Sequence, residues 1–178
     1  VFAGRTEEMT DQKARYARDT KARTLAEAID GADVFLGLSA PNILKPEMLK
    51  GMARKPLILA LANPVPEIMP DLAKQARPDA VIATGRSDFP NQVNNVLCFP
   101  FIFRGALDVG ATTINEEMTL AALHAIADLA RAEITEAVAS AYGGEEMHFG
   151  PEYLIPKPFD QRLIVTVATA VAQAAMES

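Results

Sequence analysis

Cysteine is almost absent from this chain, since Cys98 is the only one among 178 residues. A lone cysteine excludes a disulfide framework within the chain and also a cysteine-rich metal site. It fits a reducing compartment, so we expect a cytoplasmic protein. Long apolar runs are missing too, because no stretch approaches the roughly 20 residues that span a bilayer. The sequence therefore predicts neither a disulfide scaffold nor a membrane protein.

Basic residues are also few, with 17 Lys and Arg against 23 Asp and Glu and a net charge of −6. Nucleic-acid binding relies on clustered cations that neutralise phosphates, and an acidic chain offers no basic stripe for this. We therefore expect no nucleic-acid partner. Small anionic ligands stay possible, because backbone amides and a few side chains can hold them locally. The zincin, nucleophile-elbow, P-loop and EF-hand signatures do not occur.

Three short, β-rich apolar runs recur at a spacing of about 23 residues, which leaves room for a helix and two loops between strands. They are residues 32–37, 56–62 and 79–83. The segments between them carry helix signals: Thr24 and Glu27 form a capping box, and Pro46 and Pro70 suit first helical turns. This pattern predicts parallel βα units.

Helix-favouring sequence dominates after residue 90. We predict a helix over 92–107 that Pro100 kinks or interrupts. A second capping box, from Thr113 to Glu116, predicts a helix to about residue 139 that breaks near Ile134. Asp160 is predicted to cap a last helix. The fold class is therefore α/β, a partial Rossmann-like, doubly wound parallel sheet followed by C-terminal helices.

Polar and turn-forming residues follow each predicted strand, at the sheet edge where open α/β folds bind ligands. The first such loop consists of Gly37, Leu38, Ser39 and Ala40. The glycine would let a ligand approach the backbone closely. A plain βα turn explains this loop equally simply and, for the loop by itself, is the better interpretation.

Asparagines supply the second candidate group. Asn63 follows the second strand and precedes a proline, so its amide is presented rigidly to a carboxamide, hydroxyl or carboxylate. An Asx turn is an equal alternative. Asn94 and Asn95 follow the third strand, where a helix cap accounts for one of them. Together with Arg86 and Ser87, these amides would suit a small carboxylate beside a dinucleotide.

Other titratable residues give weaker signals. We interpret Glu67 and Asp88 as solvated loop carboxylates rather than an acid/base pair. His124 reads as a packed or rim histidine, and His148 has no partner at metal-ligand spacing. Cys98 lies in an apolar run typical of a small buried hydrophobe. We therefore identify no catalytic residue and no metal ligand within this chain.

Four strings carry a family resemblance: residues 32–41, 60–67, 83–95 and 99–108, which include Gly-Leu-Ser-Ala-Pro, Leu-Ala-Asn-Pro-Val-Pro-Glu and Pro-Asn-Gln-Val-Asn-Asn. Residues 111–118 and 149–160 extend it over nearly the whole chain. These strings resemble the bacterial-type malic enzymes. The resemblance implies oxidative decarboxylation of malate to pyruvate and CO2 with NAD or NADP, and Mg²⁺ or Mn²⁺ in the complete enzyme.

The same resemblance assigns roles to the candidate residues. Gly37, Leu38, Ser39 and Ala40 would border the dinucleotide. Asn63 would contact the nicotinamide ribose or malate, and Asn94 and Asn95 would contact malate and the nicotinamide side of the pocket. Residues 1–178 would be the later part of the NAD(P)-binding domain.

The resemblance also predicts what this stretch does not carry. The tyrosine and lysine acid/base pair, the acidic metal ligands and the glycine-rich phosphate turn would belong to earlier parts of a longer, homo-oligomeric enzyme. We therefore expect the isolated chain to be inactive. Two alternatives stay open: a different Rossmann-type dehydrogenase, or a non-catalytic module for dinucleotide binding or assembly.

Overall fold

The structure is a computed structural model that describes residues 1–144 and 147–178. In chain order its elements are α1 (Asp11–Ala14), α2 (Leu25–Ile29), β1 (Val34–Gly37), α3 (Pro46–Leu49), β2 (Leu57–Ala60), α4 (Pro70–Ala76), β3 (Val81–Thr84), a 3₁₀ helix (Asn95–Leu97), α5 (Phe99–Asp108), α6 (Glu116–Arg131), α7 (Glu136–Ala141) and α8 (Arg162–Glu177). Within these described residues, every helix is too short or too polar to cross a membrane.

The three predicted strands are confirmed and form a parallel sheet in the order β1-β2-β3. Their register runs from Val34–Leu57–Val81 to Gly37–Ala60–Thr84. Because side chains alternate along a strand, one face of the sheet faces α2, α3 and α4 and forms the first core. This arrangement confirms an α/β fold with a partial parallel sheet.

The opposite face of the sheet is only partly covered. Val34 is 52% exposed and Leu36 is 57% exposed, although both are apolar strand residues. Exposure falls toward β3, where Ala83 is buried. We call this surface the open face of the sheet; it consists of Val34, Leu36, Leu57, Leu59 and Val81.

The helices that follow the sheet have a second core of their own, in which α5, α6 and α8 pack together. Its fully buried members include Ala122, Leu163 and Val171. Close approach of α5 to α8 depends on Gly105, because a Cβ there would meet the Ala168 carbonyl oxygen and lie 2.8 Å from Val171 Cβ.

The helix predicted over 92–107 is only partly confirmed. Residues 92–94 are not helical: Gln92 pairs with Thr84 in a parallel β-bridge. Pro100 does not kink α5, but the predicted interruption is present: the 3₁₀ helix ends before Cys98, and α5 begins at Phe99, which places the proline in its first turn. A proline is tolerated there since that N–H needs no helical partner.

The second predicted capping box was also wrong. Asn115, not Thr113, caps α6: its Oδ1 accepts a hydrogen bond from Met118 N at 2.9 Å. The helix ends at Arg131 and α7 starts after its own cap, Thr135, so the predicted break near Ile134 is confirmed. The capping box of Thr24 and the first-turn positions of Pro46 and Pro70 are confirmed too.

Candidate functional site

The candidate site lies at the carboxyl edge of the sheet, where all three strands end side by side. Gly37, Ala60 and Thr84 are paired across the sheet, so the loops that follow them start at the same edge. In open α/β sheets this is the edge at which ligands bind.

The loop after β1 presents its side chains to solvent while its backbone is tied down. Gly37 is buried at the strand end, whereas Leu38 is 72% exposed and Ser39 and Ala40 are also exposed. Ser39 N donates a hydrogen bond to Glu67 Oε1 at 2.9 Å. Glu67 therefore fixes the backbone of this loop, and the side chains of residues 38–40 are accessible to a ligand.

Glu67 contradicts its sequence interpretation as a solvated loop carboxylate, because its side chain is completely buried. Oε1 accepts from Ser39 N, and Oε2 accepts from Ala62 N at 3.0 Å. These two backbone donors replace the water that a loop carboxylate would otherwise bind. The residue was missed because its partners lie on two separate loops that sequence reasoning did not bring together.

Asn63 lies near the start of the loop between β2 and α4, next to Ala62, and its side chain lies close to Gly85 in the segment after β3. A Cβ at Gly85 would be 3.0 Å from both Asn63 Nδ2 and Asn63 Oδ1. Across residues 1–144 and 147–178, no group hydrogen-bonds the Asn63 side chain, and the residue is exposed. The Asx turn, which was the equal alternative for Asn63, is therefore not formed among the described residues, and the amide can bond a ligand.

The chain returns to the sheet before the asparagine pair, since Val93 N donates to Thr84 O at 2.8 Å. Asn94 then caps the 3₁₀ helix, with Oδ1 accepting from Val96 N at 3.0 Å. Asn95 is exposed. Capping therefore explains one member of the pair, as predicted. The structure brings Asn63 to the start of this segment, at Gly85; in the described part of the chain no hydrogen bond joins Asn63 to the pair.

Arg86 is not the free cation that the sequence suggested. Its guanidinium binds the Asp88 carboxylate through two hydrogen bonds of 2.8 Å and 2.6 Å. The Arg86 side chain holds the pKa of Asp88 below its ordinary value, mainly through these hydrogen bonds. Because Arg86 is paired with the exposed Asp88 carboxylate, the pair offers a ligand little net positive charge at this point.

Asn91 is a second residue that sequence reasoning missed. It is buried, and its Nδ2 donates to Ile82 O and Pro151 O at 2.9 Å and 2.7 Å. Its Oδ1 accepts from Leu154 N at 2.7 Å. Asn91 thus ties the loop after β3 to a segment about 60 residues later, and only its position after Pro90 hinted at a turn.

A cavity of about 590 Å³ lies beyond Asn91, between residues 87–92 and 147–159. Of the predicted site residues Ser87 lines it, whereas Gly37 to Ala40, Asn63, Asn94 and Asn95 do not. Within residues 1–144 and 147–178, no group of three or more His, Cys, Asp or Glu side chains is placed to hold a metal ion. The exposed side chains at the sheet edge include the amides of Asn63 and Asn95, which suit binding and orientation of a ligand.

Comparisons with known proteins show the family of this chain. The family described as malic enzyme, NAD binding domain, matches residues 1–141. The NADP-dependent malic enzyme of Salmonella typhimurium is 68% identical over 179 residues, covering 100% of this chain and 24% of that protein. The NAD-dependent malic enzyme of Rhizobium meliloti is 66% identical, covering 100% of this chain and 23% of that protein.

Solved structures show the same similarity. The NAD-dependent malic enzyme of Thermotoga maritima matches with a TM-score of 0.73 at 45% identity, covering 90% of this chain and 38% of that one. The chain spans about a quarter of the length of the curated relatives it matches. Sequence similarity and shared fold thus lead to one conclusion: the chain belongs to the malic enzyme family.

Proposed function

We propose that residues 1–178 are the later part of the NAD(P)-binding domain of a malic enzyme. The complete protein would convert malate and NAD(P)⁺ to pyruvate, CO2 and NAD(P)H. The observation that supports this most directly is the match of the whole chain to relatives named NADP-dependent and NAD-dependent malic enzyme. The polar loops at one edge of a parallel sheet support it independently.

In this proposal the loop from Gly37 to Ala40 borders the dinucleotide. Its side chains are exposed, and its backbone is anchored from below through Ser39 N, so a ligand meets a fixed surface. When bound, the dinucleotide supplies the acceptor for the hydride that leaves C2 of malate. This chain's residues would hold the nicotinamide end near the substrate.

The asparagines would bind the substrate side of the pocket. Asn63 and Asn95 have exposed amides that can donate to a carboxylate or hydroxyl. Asn94 uses Oδ1 for its cap, which leaves Nδ2 to donate. Neutral donors suit malate here, since Arg86 is already paired with Asp88.

A metal does not fit the described residues of this chain, because they hold no group of three or more His, Cys, Asp or Glu side chains that could bind it. In this proposal the rest of the enzyme would hold Mg²⁺ or Mn²⁺ and supply the acid/base groups. The isolated chain should consequently show no turnover. We also propose that the enzyme is cytoplasmic, which the single cysteine supports. We further propose that it is homo-oligomeric, which the exposed apolar surface on the open face of the sheet supports.

The test is the full-length enzyme with Asn63→Ala, Asn94→Ala and Asn95→Ala. Losing one hydrogen bond to a charged ligand should lower kcat/KM for malate by about 10- to 100-fold. Gln75→Ala, which removes an exposed amide from α4, is the matched control and should behave like the wild type. Unchanged kinetic constants in all three asparagine variants would refute the proposed site. An enzyme that oxidises another hydroxy acid and ignores malate would refute the proposed reaction.

A further inference from the structure

Glu67 joins two loops that are far apart in the sequence. Its Oε1 accepts from Ser39 N, 28 residues away, and its Oε2 accepts from Ala62 N, five residues away. Ser39 lies in the loop proposed to border the dinucleotide, and Ala62 directly precedes Asn63. One carboxylate thus connects both halves of the proposed site.

The surroundings of Glu67 differ from those of the other fully buried carboxylate. Asp160 is paired with Arg162 at 2.7 Å, so its charge is compensated by a cation. Among the described residues the Glu67 carboxylate has no cationic partner and bonds only the two backbone N–H groups. Burying a carboxylate without a counter-ion is unfavourable unless hydrogen bonds hold it. The hydrogen bonds to Ser39 N and Ala62 N therefore explain why a carboxylate is buried at position 67.

Gly37 makes room for this carboxylate. A Cβ at position 37 would lie 2.6 Å from Glu67 Oε1 and 2.7 Å from Glu67 Oε2, closer than real Cβ contacts allow. The sequence suggested that Gly37 lets a ligand approach the backbone. The structure gives the glycine another role, which is to let Glu67 reach Ser39 N beneath the end of β1.

We infer that Glu67 is a positioning residue that sets the distance between the dinucleotide loop, residues 38–40, and the Asn63 amide. This inference rests on the proposed function. Without the carboxylate, Ser39 N and Ala62 N lose their shared acceptor. The two loops are then joined only by backbone hydrogen bonds, such as Leu61 N to Gly37 O and Asn42 N to Pro66 O, which leave residues 38–40 less firmly fixed relative to Asn63. Displacements of about 1 Å at a reacting pair can lower the rate about 100-fold. Glu67 therefore acts on the reaction through Asn63 and the loop, without touching the substrate.

Glu67→Gln in the full-length enzyme is the first test. The amide keeps the shape of the side chain but can accept from only one of the two N–H groups. We expect kcat/KM for malate to fall about 10- to 100-fold. Glu47→Gln, an exposed change of the same kind on α3, should leave it unchanged. Wild-type kinetics in Glu67→Gln would overturn the inference.

The double variant Asn63→Ala with Glu67→Gln separates positioning from general stability. If Glu67 acts through Asn63, Glu67→Gln should lower kcat/KM much less when Asn63 is already alanine. An equal loss in both backgrounds would overturn the inference. Gly37→Ala is a steric check. In the wild-type background it should lower kcat/KM for malate, because the new Cβ would clash with the Glu67 carboxylate. Added to Glu67→Ala, it should lower kcat/KM little further.

Amide hydrogen exchange separates this inference from the proposed function. Peptides covering residues 37–40 and 61–63 should exchange faster in Glu67→Gln than in the wild type, and peptides from α6 should not change. Unchanged exchange in both loops would overturn the inference even if malate is oxidised. A wild-type enzyme that leaves malate untouched would instead refute the proposed function, and the exchange result would still decide whether Glu67 ties the loops.

Discussion

Asp79 connects two turns at the end of the sheet opposite to Glu67. Its Oδ1 accepts from Arg77 Nε at 2.9 Å, and its Oδ2 accepts from Lys55 N at 2.8 Å. Arg77 also donates to Leu49 O, Met52 O and Ala53 O. At the scale of single residues, two carboxylates thus hold the turns at the two ends of the same short strands.

The hydrogen bond from Arg77, followed by that from Lys55 N, holds the pKa of Asp79 well below its ordinary value. A lowered folded-state pKa stabilises the fold above the unfolded-state value of about 3.9. The stabilisation is lost as the pH falls from there toward the folded-state pKa. Asp79→Asn should therefore lower the urea midpoint at pH 7, and the difference from the wild type should shrink below about pH 4.

Asp19→Asn is the control for this measurement, because it removes the same charge from an exposed residue. Its urea midpoint should stay close to that of the wild type at both pH values. A difference between Asp79→Asn and the wild type that is equally large at pH 7 and at pH 3 would contradict the proposed role of the ionised carboxylate.

At the scale of elements, the contact between α5 and α8 depends on small residues. Gly105 lies in the interior of α5, where glycine is unfavourable by roughly 0.5–1 kcal/mol relative to alanine. The structure explains its presence, because α8 approaches through Ala168 and Val171. Steric fit between helices thus outweighs helix propensity at this position.

Gly105→Ala should destabilise the chain by about 1–3 kcal/mol, since overpacking a close helix contact exceeds the gain in propensity. Urea denaturation followed by far-UV circular dichroism measures this free energy. Leu107→Ala on the same helix is the control: the leucine is 74% exposed, and its loss should change stability by less than about 0.5 kcal/mol. A Gly105→Ala variant as stable as the wild type would refute the close contact.

At the scale of the whole molecule, the open face of the sheet stands out. Parallel sheets are normally covered on both faces, yet Val34 and Leu36 are more than half exposed. The chain spans about a quarter of the length of its curated relatives. The unpaired side of β1 adds free backbone groups that can pair with another strand.

The isolated chain should therefore self-associate through this face. Leu36→Gln should weaken the association about tenfold, because it removes apolar surface that association would bury. Sedimentation equilibrium measures the dissociation constant. Leu107→Gln, which changes an exposed leucine on α5, is the control. A monomeric wild-type chain, or equal effects of the two variants, would show that the open face does not drive association.

The sequence by itself determined the features that depend on neighbours a few residues apart. The three strands follow from short apolar runs, and the capping box of Thr24 and the first-turn prolines follow from spacings of a few residues, and so they were predicted correctly. Parallel strands end at one edge, so the position of Asn63 and of the loop after β1 was also predictable. The resemblance to malic enzymes arose from the same local strings.

Only the tertiary structure decided which polar groups are buried and what they bond. Glu67 needed Ser39 N from 28 residues away, and Asn91 needed Leu154 N from 63 residues away. Asn115 rather than Thr113 caps α6, and its side chain bonds the backbone N of Met118, whose own side chain is buried in the helical core. A buried polar group is stable only where partners meet it, and those partners come together through packing that no local pattern encodes.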